Sequence, residues 1–184
     1  MTAQATKVII HMVASLDGYI EGEDGDISWL EAPDSYDKGI SDEDSEKLST
    51  EVLNSIDCYV VGSRTYEMAI RLGWPYGDTS IYVFTTRDFS DERESVRFVS
   101  DDNKKLIHDI RQNHKNIWLV GGSELVKNFI ESNLADEICI TFTPYLLGKG
   151  TSFFDNLANE NALHLKDVIA FKNGFVELWY EIKK

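Results

Sequence analysis

Two places in the sequence join an apolar run to a helix-forming segment through glycine and small polar residues: Gly62-Ser63-Arg64-Thr65 and Gly121-Gly122-Ser123. Such helix starts suit anions, because free backbone N–H groups and the positive end of the helix dipole face the ligand, and glycine lets it approach the main chain. A diphosphate can bridge both. A third strand end, Thr85-Thr86-Arg87, adds two hydroxyls and a guanidinium, the chemistry expected around a further phosphate such as a 2′-phosphate. One glycine-bearing turn alone is ordinary cap chemistry. Three at the carboxyl ends of adjacent strands lie where open α/β sheets bind ligands.

Other chemistries find less support. The chain lacks GxxxxGK[ST], GxGxxG after a strand, and HExxH. His11, His108, His114 and His164 show no ligand spacing, so no metal site is expected. Cys58 and Cys139 form no CxxC and are expected as buried thiols. Gly121-Gly122-Ser123-Glu124-Leu125 nearly matches the GxSxG nucleophile elbow, with Asp155 and His164 downstream, so a serine hydrolase using Ser123 is one alternative. The last glycine of that motif is absent.

The elements that must position these residues are legible as alternating apolar runs and helical spacings. Strands are expected at Lys7 to Ala14, Cys58 to Val61, Ile81 to Thr86, Val96 to Val99, Asn116 to Val120 and Glu137 to Thr143. A loop spans Asp17 to Gly39. Ser41 and Asp44 form a capping-box-like start for a helix with the stripe Leu48, Val52 and Ile56. Two further helices carry Tyr66 to Leu72 and Leu125 to Ile130, and Asp101 or Asp102 caps another that ends near Asn113. Leu163 to Lys172 and Phe175 to Ile182 form a hairpin through Asn173-Gly174, a pair suited to a turn with φ > 0 at both positions. The expected fold is a single α/β domain over residues 1–184, three-layered, with a mostly parallel sheet, helices on both faces and a C-terminal antiparallel hairpin.

With 18 Lys+Arg against 32 Asp+Glu, the formal charge is −14, which argues against nucleic acid as a partner. Residues 21 to 51 carry twelve acids and two lysines, whereas Gly62 to Arg87 carries three arginines and two acids. An anionic ligand prefers the second stretch. No apolar run approaches the roughly 18 residues of a membrane span, and the N-terminus has no signal-peptide pattern, so a cytoplasmic protein with no membrane partner is expected.

Met12-Val13-Ala14-Ser15-Leu16-Asp17-Gly18-Tyr19-Ile20, Val61-Gly62-Ser63-Arg64-Thr65-Tyr66-Glu67, Val120-Gly121-Gly122, and Pro144 to Gly150 followed by Phe153-Phe154 together resemble the dihydrofolate-reductase-like superfamily. The branch they resemble is that of the reductase domain of bacterial riboflavin biosynthesis. The resemblance covers almost the whole chain. It implies NADPH bound across the carboxyl ends of the sheet and hydride transfer to a small heterocyclic, pterin-like or aminopyrimidine-like substrate. By that resemblance Gly62, Ser63, Arg64 and Thr65 hold the pyrophosphate and reach the 2′-phosphate. Thr85, Thr86 and Arg87 lie near the adenosine ribose. Gly121, Gly122, Ser123, Glu124 and Leu125 form the second phosphate-binding helix start, while Ala14 and Ile20 flank the nicotinamide.

The departures from the family concern the substrate. Thr79 stands where dihydrofolate reductases carry a folate-clamping arginine, and Tyr19 stands where the riboflavin branch usually has a basic residue. The deaminase signature of H-x-E with P-C-x-x-C is absent from the chain. Asp34 or Asp17 is expected to supply or relay a proton, with Trp29 and Tyr19 walling the substrate cleft. Relatives of this branch are commonly dimers, so a homodimer is expected. A nucleotide-binding protein of the same fold without turnover is the other alternative.

Overall fold

The computed structural model describes residues 6–31, 35–100, 103–154 and 156–184. Its centre is strand β1 (Lys7–Ser15), whose even-numbered residues Val8, Ile10, Met12 and Ala14 are buried on one face and whose Ile9 is buried on the other. Around it lie β3 (Cys58–Gly62), β4 (Ser80–Phe84), β5 (Val96–Val99), β6 (Asn116–Gly121) and β7 (Glu137–Thr143). A hairpin of β9 (Leu163–Ala170) and β10 (Val176–Ile182) completes an eight-stranded sheet of order β5-β4-β3-β6-β1-β7-β10-β9. The six strands from β5 to β7 are mutually parallel, and β10 runs antiparallel to both of its neighbours, β7 and β9. The expected architecture is therefore the observed one.

Helices cover both faces, as parallel strands require. On one face Ile107 and Ile110 of α3 (Asn103–Asn113) and Val126, Phe129 and Ile130 of α4 (Ser123–Glu131) pack with Val8, Ile10 and Met12. On the other, Val52 of α1 (Asp42–Ser55), Ile56 just after it, and Tyr66 of α2 (Ser63–Arg71) pack with Ile9, Val61 and Trp118. Ser41 caps α1 by accepting the Asp44 N–H at 3.1 Å. The Asp101 or Asp102 cap expected for α3 lies outside the described residues. Cys58 and Cys139 are free, buried thiols, as expected.

Three local expectations are corrected. The stretch 17–39 contains strand β2 (Tyr19–Glu21), paired antiparallel with β8 (Thr151–Ser152), and two 3-10 turns at Glu23–Gly25 and Ser28–Leu30. Strand β4 stops at Phe84, because the Thr85 hydroxyl accepts the Arg87 N–H at 3.0 Å and turns the chain. At the hairpin tip only Gly174 has positive φ, +80°. Its N–H reaches Phe171 O at 3.1 Å and Phe171 N–H reaches Phe175 O at 2.9 Å, so the strands meet through a turn followed by a left-handed glycine.

Candidate functional site

Strands β3, β4 and β6 are neighbours, and their carboxyl ends open into one cleft of about 480 Å³. Helix α2 begins on Gly62 and α4 on Gly122, and among the described residues no side chain caps either first turn. This contrasts with α1 and its serine cap. The first N–H groups of two nine-residue helices are thus left without side-chain partners at one site. The two starts face each other closely: a Cβ on Gly62 would lie 3.5 Å from Gly122 N. A Cβ on Gly122 would meet nothing within 4 Å, so the space in front of α4 is open. Gly121 makes the bend with φ +124°, and a side chain there would press on the Met12 methyl at 3.2 Å.

Arg64, in the first turn of α2, is exposed and makes no ion pair among the described residues. Arg87 pairs with Glu67 and lies over the Phe89 ring at 4.5 Å. Thr85, Thr86 and Arg87 line both the main cleft and an adjoining hollow of about 210 Å³ that reaches Phe89 and Phe98. Apolar walls come from Ile20, Phe84, Val99 and Leu125. The site therefore offers two anion-binding helix starts, a free guanidinium and a hydroxyl cluster around an apolar floor. That combination suits an extended, phosphate-bearing, partly aromatic ligand.

Of the residues singled out in the sequence, the cleft gathers Ile20, Gly62, Ser63, Arg64, Thr65, Thr85, Thr86, Arg87, Gly122, Ser123, Glu124 and Leu125. Ala14 is fully buried in the core rather than in the cleft wall, and Gly121 shapes the backbone behind it. Trp29 is buried, its indole N–H donating to Asp26 O at 3.0 Å, and it does not line the cleft. Tyr19 is half-buried and its hydroxyl donates to Gly148 O at 3.3 Å. Asp34 lies outside the described residues. The sequence does not single out Glu21, Phe84, Val99, Ser100, Asn128 and Thr151 as lining residues. Glu21 and Thr151 become legible only through the short β2–β8 pairing, while Ser100 follows β5 as Thr85 follows β4.

Asp17 is engaged on both oxygens. Oδ1 accepts from the Ser15 hydroxyl at 2.6 Å and Leu147 N–H at 3.1 Å, and Oδ2 accepts from Gly148 N–H at 2.7 Å. The Ser15 hydroxyl and these two amides hold its carboxyl below the usual range. The group thus ties the end of β1 to the 144–150 loop.

Among the described residues, Ser123 and His164 are not brought together. His164 sits exposed on β9, four strand positions from β6, which at about 4.8 Å per strand is roughly 19 Å across the sheet from the Ser123 helix start. Asp155 lies outside the described residues. No helix among the described residues is long and apolar enough to cross a membrane.

The family model of the RibD C-terminal domain matches residues 6–176. The uncharacterized protein YwjB of Bacillus subtilis (strain 168) is 35% identical over 178 residues, covering 95% of this chain and 97% of its own. A Shewanella sp. PV-4 protein provisionally assigned to riboflavin biosynthesis superposes with a TM-score of 0.82 at 22% identity, covering 97% of this chain and 100% of the other. The Thermotoga maritima diaminohydroxyphosphoribosylaminopyrimidine deaminase/5-amino-6-(5-phosphoribosylamino)uracil reductase superposes with a TM-score of 0.69 at 16% identity. That match covers 99% of this chain and 58% of the longer enzyme. At these identities the solved structures establish the fold.

Proposed function

The chain belongs to the RibD C-terminal domain family, and from that premise we propose that it is an NADPH-dependent reductase acting on a small heterocyclic, aminopyrimidine-like substrate. The observation that carries this reading is the pair of uncapped helix starts at Gly62 and Gly122, facing each other in one cleft. When bound, the dinucleotide supplies the hydride. The chain's own residues do the rest. The α2 and α4 starts hold the pyrophosphate through backbone N–H groups, Arg64 with Thr85, Thr86 and Arg87 takes the 2′-phosphate end, and Ile20 with Leu125 excludes water from the apolar part of the cleft. Loss of NADPH absorbance in the presence of aminopyrimidine substrates tests the activity. Turnover supports a reductase, whereas tight NADPH binding with none across the panel supports the nucleotide-binding alternative.

Arg64→Ala is expected to weaken NADPH binding about tenfold, the lower end of a charge-assisted hydrogen bond because the guanidinium is exposed. NADH, without the 2′-phosphate, is expected to lose less. Parallel fluorescence titrations of the two cofactors check it, and an equal loss for both places Arg64 on the pyrophosphate alone.

Asp17 we assign to positioning, and proton delivery we assign to Asp34 on the resemblance. Asp17's folded carboxyl is depressed, so the stability it contributes is present above its unfolded pKa of about 3.9 and is lost as pH falls through the lower folded value. Asp17→Asn is expected to lower the melting temperature at pH 7 and to flatten its fall in acid. Since the 144–150 loop leads into Thr151 of the cleft, KM is expected to rise with little change in the pH dependence of kcat. A shifted pH optimum of kcat instead marks Asp17 as the proton donor.

A further inference from the structure

Away from the cleft, the face of the sheet that carries Ile9 and Trp118 also gathers three side chains of metal-ligating type from three adjacent strands. His11 of β1 stands in register with Cys139 of β7. Glu177 of β10 stands opposite Thr141, two residues along from Cys139 on the same face. One ligand atom from each, a ring nitrogen, a thiol sulfur and a carboxylate oxygen, lies within 4.8 Å of the others. The His11 ring lies tilted by 36° against Trp118 with ring centroids 4.3 Å apart, and its ring nitrogens make no hydrogen bond among the described residues. A donor set of imidazole, thiol and carboxylate gathered from three strands in one half-buried place is unusual for a purely structural sheet face.

We propose that His11, Cys139 and Glu177 form a binding site for a divalent, borderline-soft cation of the zinc type. Imidazole, thiolate and carboxylate all ligate zinc, at bond lengths of about 2.0–2.3 Å. Tetrahedral coordination then spaces ligand atoms about 3.4–3.8 Å apart, so the three side chains need to close by little more than 1 Å. The charges also balance. Binding releases the Cys139 proton to solvent, and a dication with one thiolate, one carboxylate and a neutral imidazole is net zero. Thr141 steadies the set by donating its hydroxyl to Glu177 Oε2 at 3.4 Å. His11 and Glu177 are only half-buried, which leaves a solvent path and room for water as the fourth ligand. None of the three lines the cleft, and His11 stands four residues before the end of β1, roughly 13 Å along the strand. The sequence shows no ligand spacing because each ligand comes from a different strand.

The test is a titration of the full chain with Co²⁺ at neutral pH, read by thiolate-to-cobalt charge-transfer absorption and by displacement with Zn²⁺. The expected result is one equivalent bound, with a charge-transfer band that Cys139→Ser abolishes and Cys58→Ser, at the other buried thiol, leaves unchanged. Glu177→Gln, which keeps side-chain shape, is expected to weaken binding at least tenfold and decides the matter if Cys139→Ser fails to fold. Absence of the band in the wild-type chain overturns the proposal. So does a band or affinity indifferent to Cys139→Ser and Glu177→Gln, which places the ion elsewhere, for example on the acidic stretch 21–51. NADPH affinity is read separately, so failure here leaves the reductase reading untouched.

Discussion

Gly122→Asp is expected to make the protein slightly more stable and to weaken NADPH binding at least 100-fold. The backbone at Gly122 is extended, φ −77° and ψ −172°, as an N-cap residue's should be, and a Cβ there meets nothing within 4 Å. An aspartate at that position accepts from the free N–H groups of the first turn of α4 and complements the helix dipole, gains of about 0.5–1 kcal/mol together. For a chain of this size that raises the melting temperature by about 1–4 °C. The same carboxylate consumes the donors a phosphate would use and places a like charge where the phosphate would sit. Thermal unfolding and NADPH titration of one preparation read both arms. A variant that is more stable and binds as before shows that the α4 start is not a phosphate site.

Gly150→Ala is expected to be among the most damaging single methyl additions in the chain. Gly150 has φ +141°, a conformation that side-chain-bearing residues rarely adopt, and a Cβ there would fall 2.0 Å from Glu21 O. Strain and overlap together come to about 3–5 kcal/mol, so the melting temperature should fall by on the order of 10 °C. The clash sits where β8 meets β2, and Glu21 and Thr151 both line the cleft, so NADPH affinity should fall with stability. Unchanged melting together with unchanged affinity contradicts the packing described.

These two glycines illustrate what the sequence makes legible and what it hides. Gly122 announces itself, since an apolar run ending in Gly-Gly-Ser before a helical stripe has a local meaning. Gly150 does not, because its constraint is a backbone contact with Glu21, 129 positions away. The parallel strands are equally readable, as residues 58–61 and 117–119 are wholly buried and so form continuous apolar runs. Strand β2 is hidden because Tyr19, Ile20 and Glu21 are all half-buried and show no alternation. Thr85 and Thr86 look like a continuing strand until the Thr85 hydroxyl captures the Arg87 amide. Asp17 reads as a candidate acid by type alone, whereas its role is set by the amides of Leu147 and Gly148. The His11, Cys139 and Glu177 cluster is likewise invisible to any local pattern, since it depends on the register of three strands.

The most direct measurement of the central claim is a calorimetric titration of the folded wild-type chain with NADPH, with Gly122→Asp alongside. One site per chain, micromolar affinity and loss of the binding heat in the variant are expected. Absence of binding by the wild-type chain at millimolar NADPH, with its fold intact, contradicts the assignment of this cleft as a dinucleotide site.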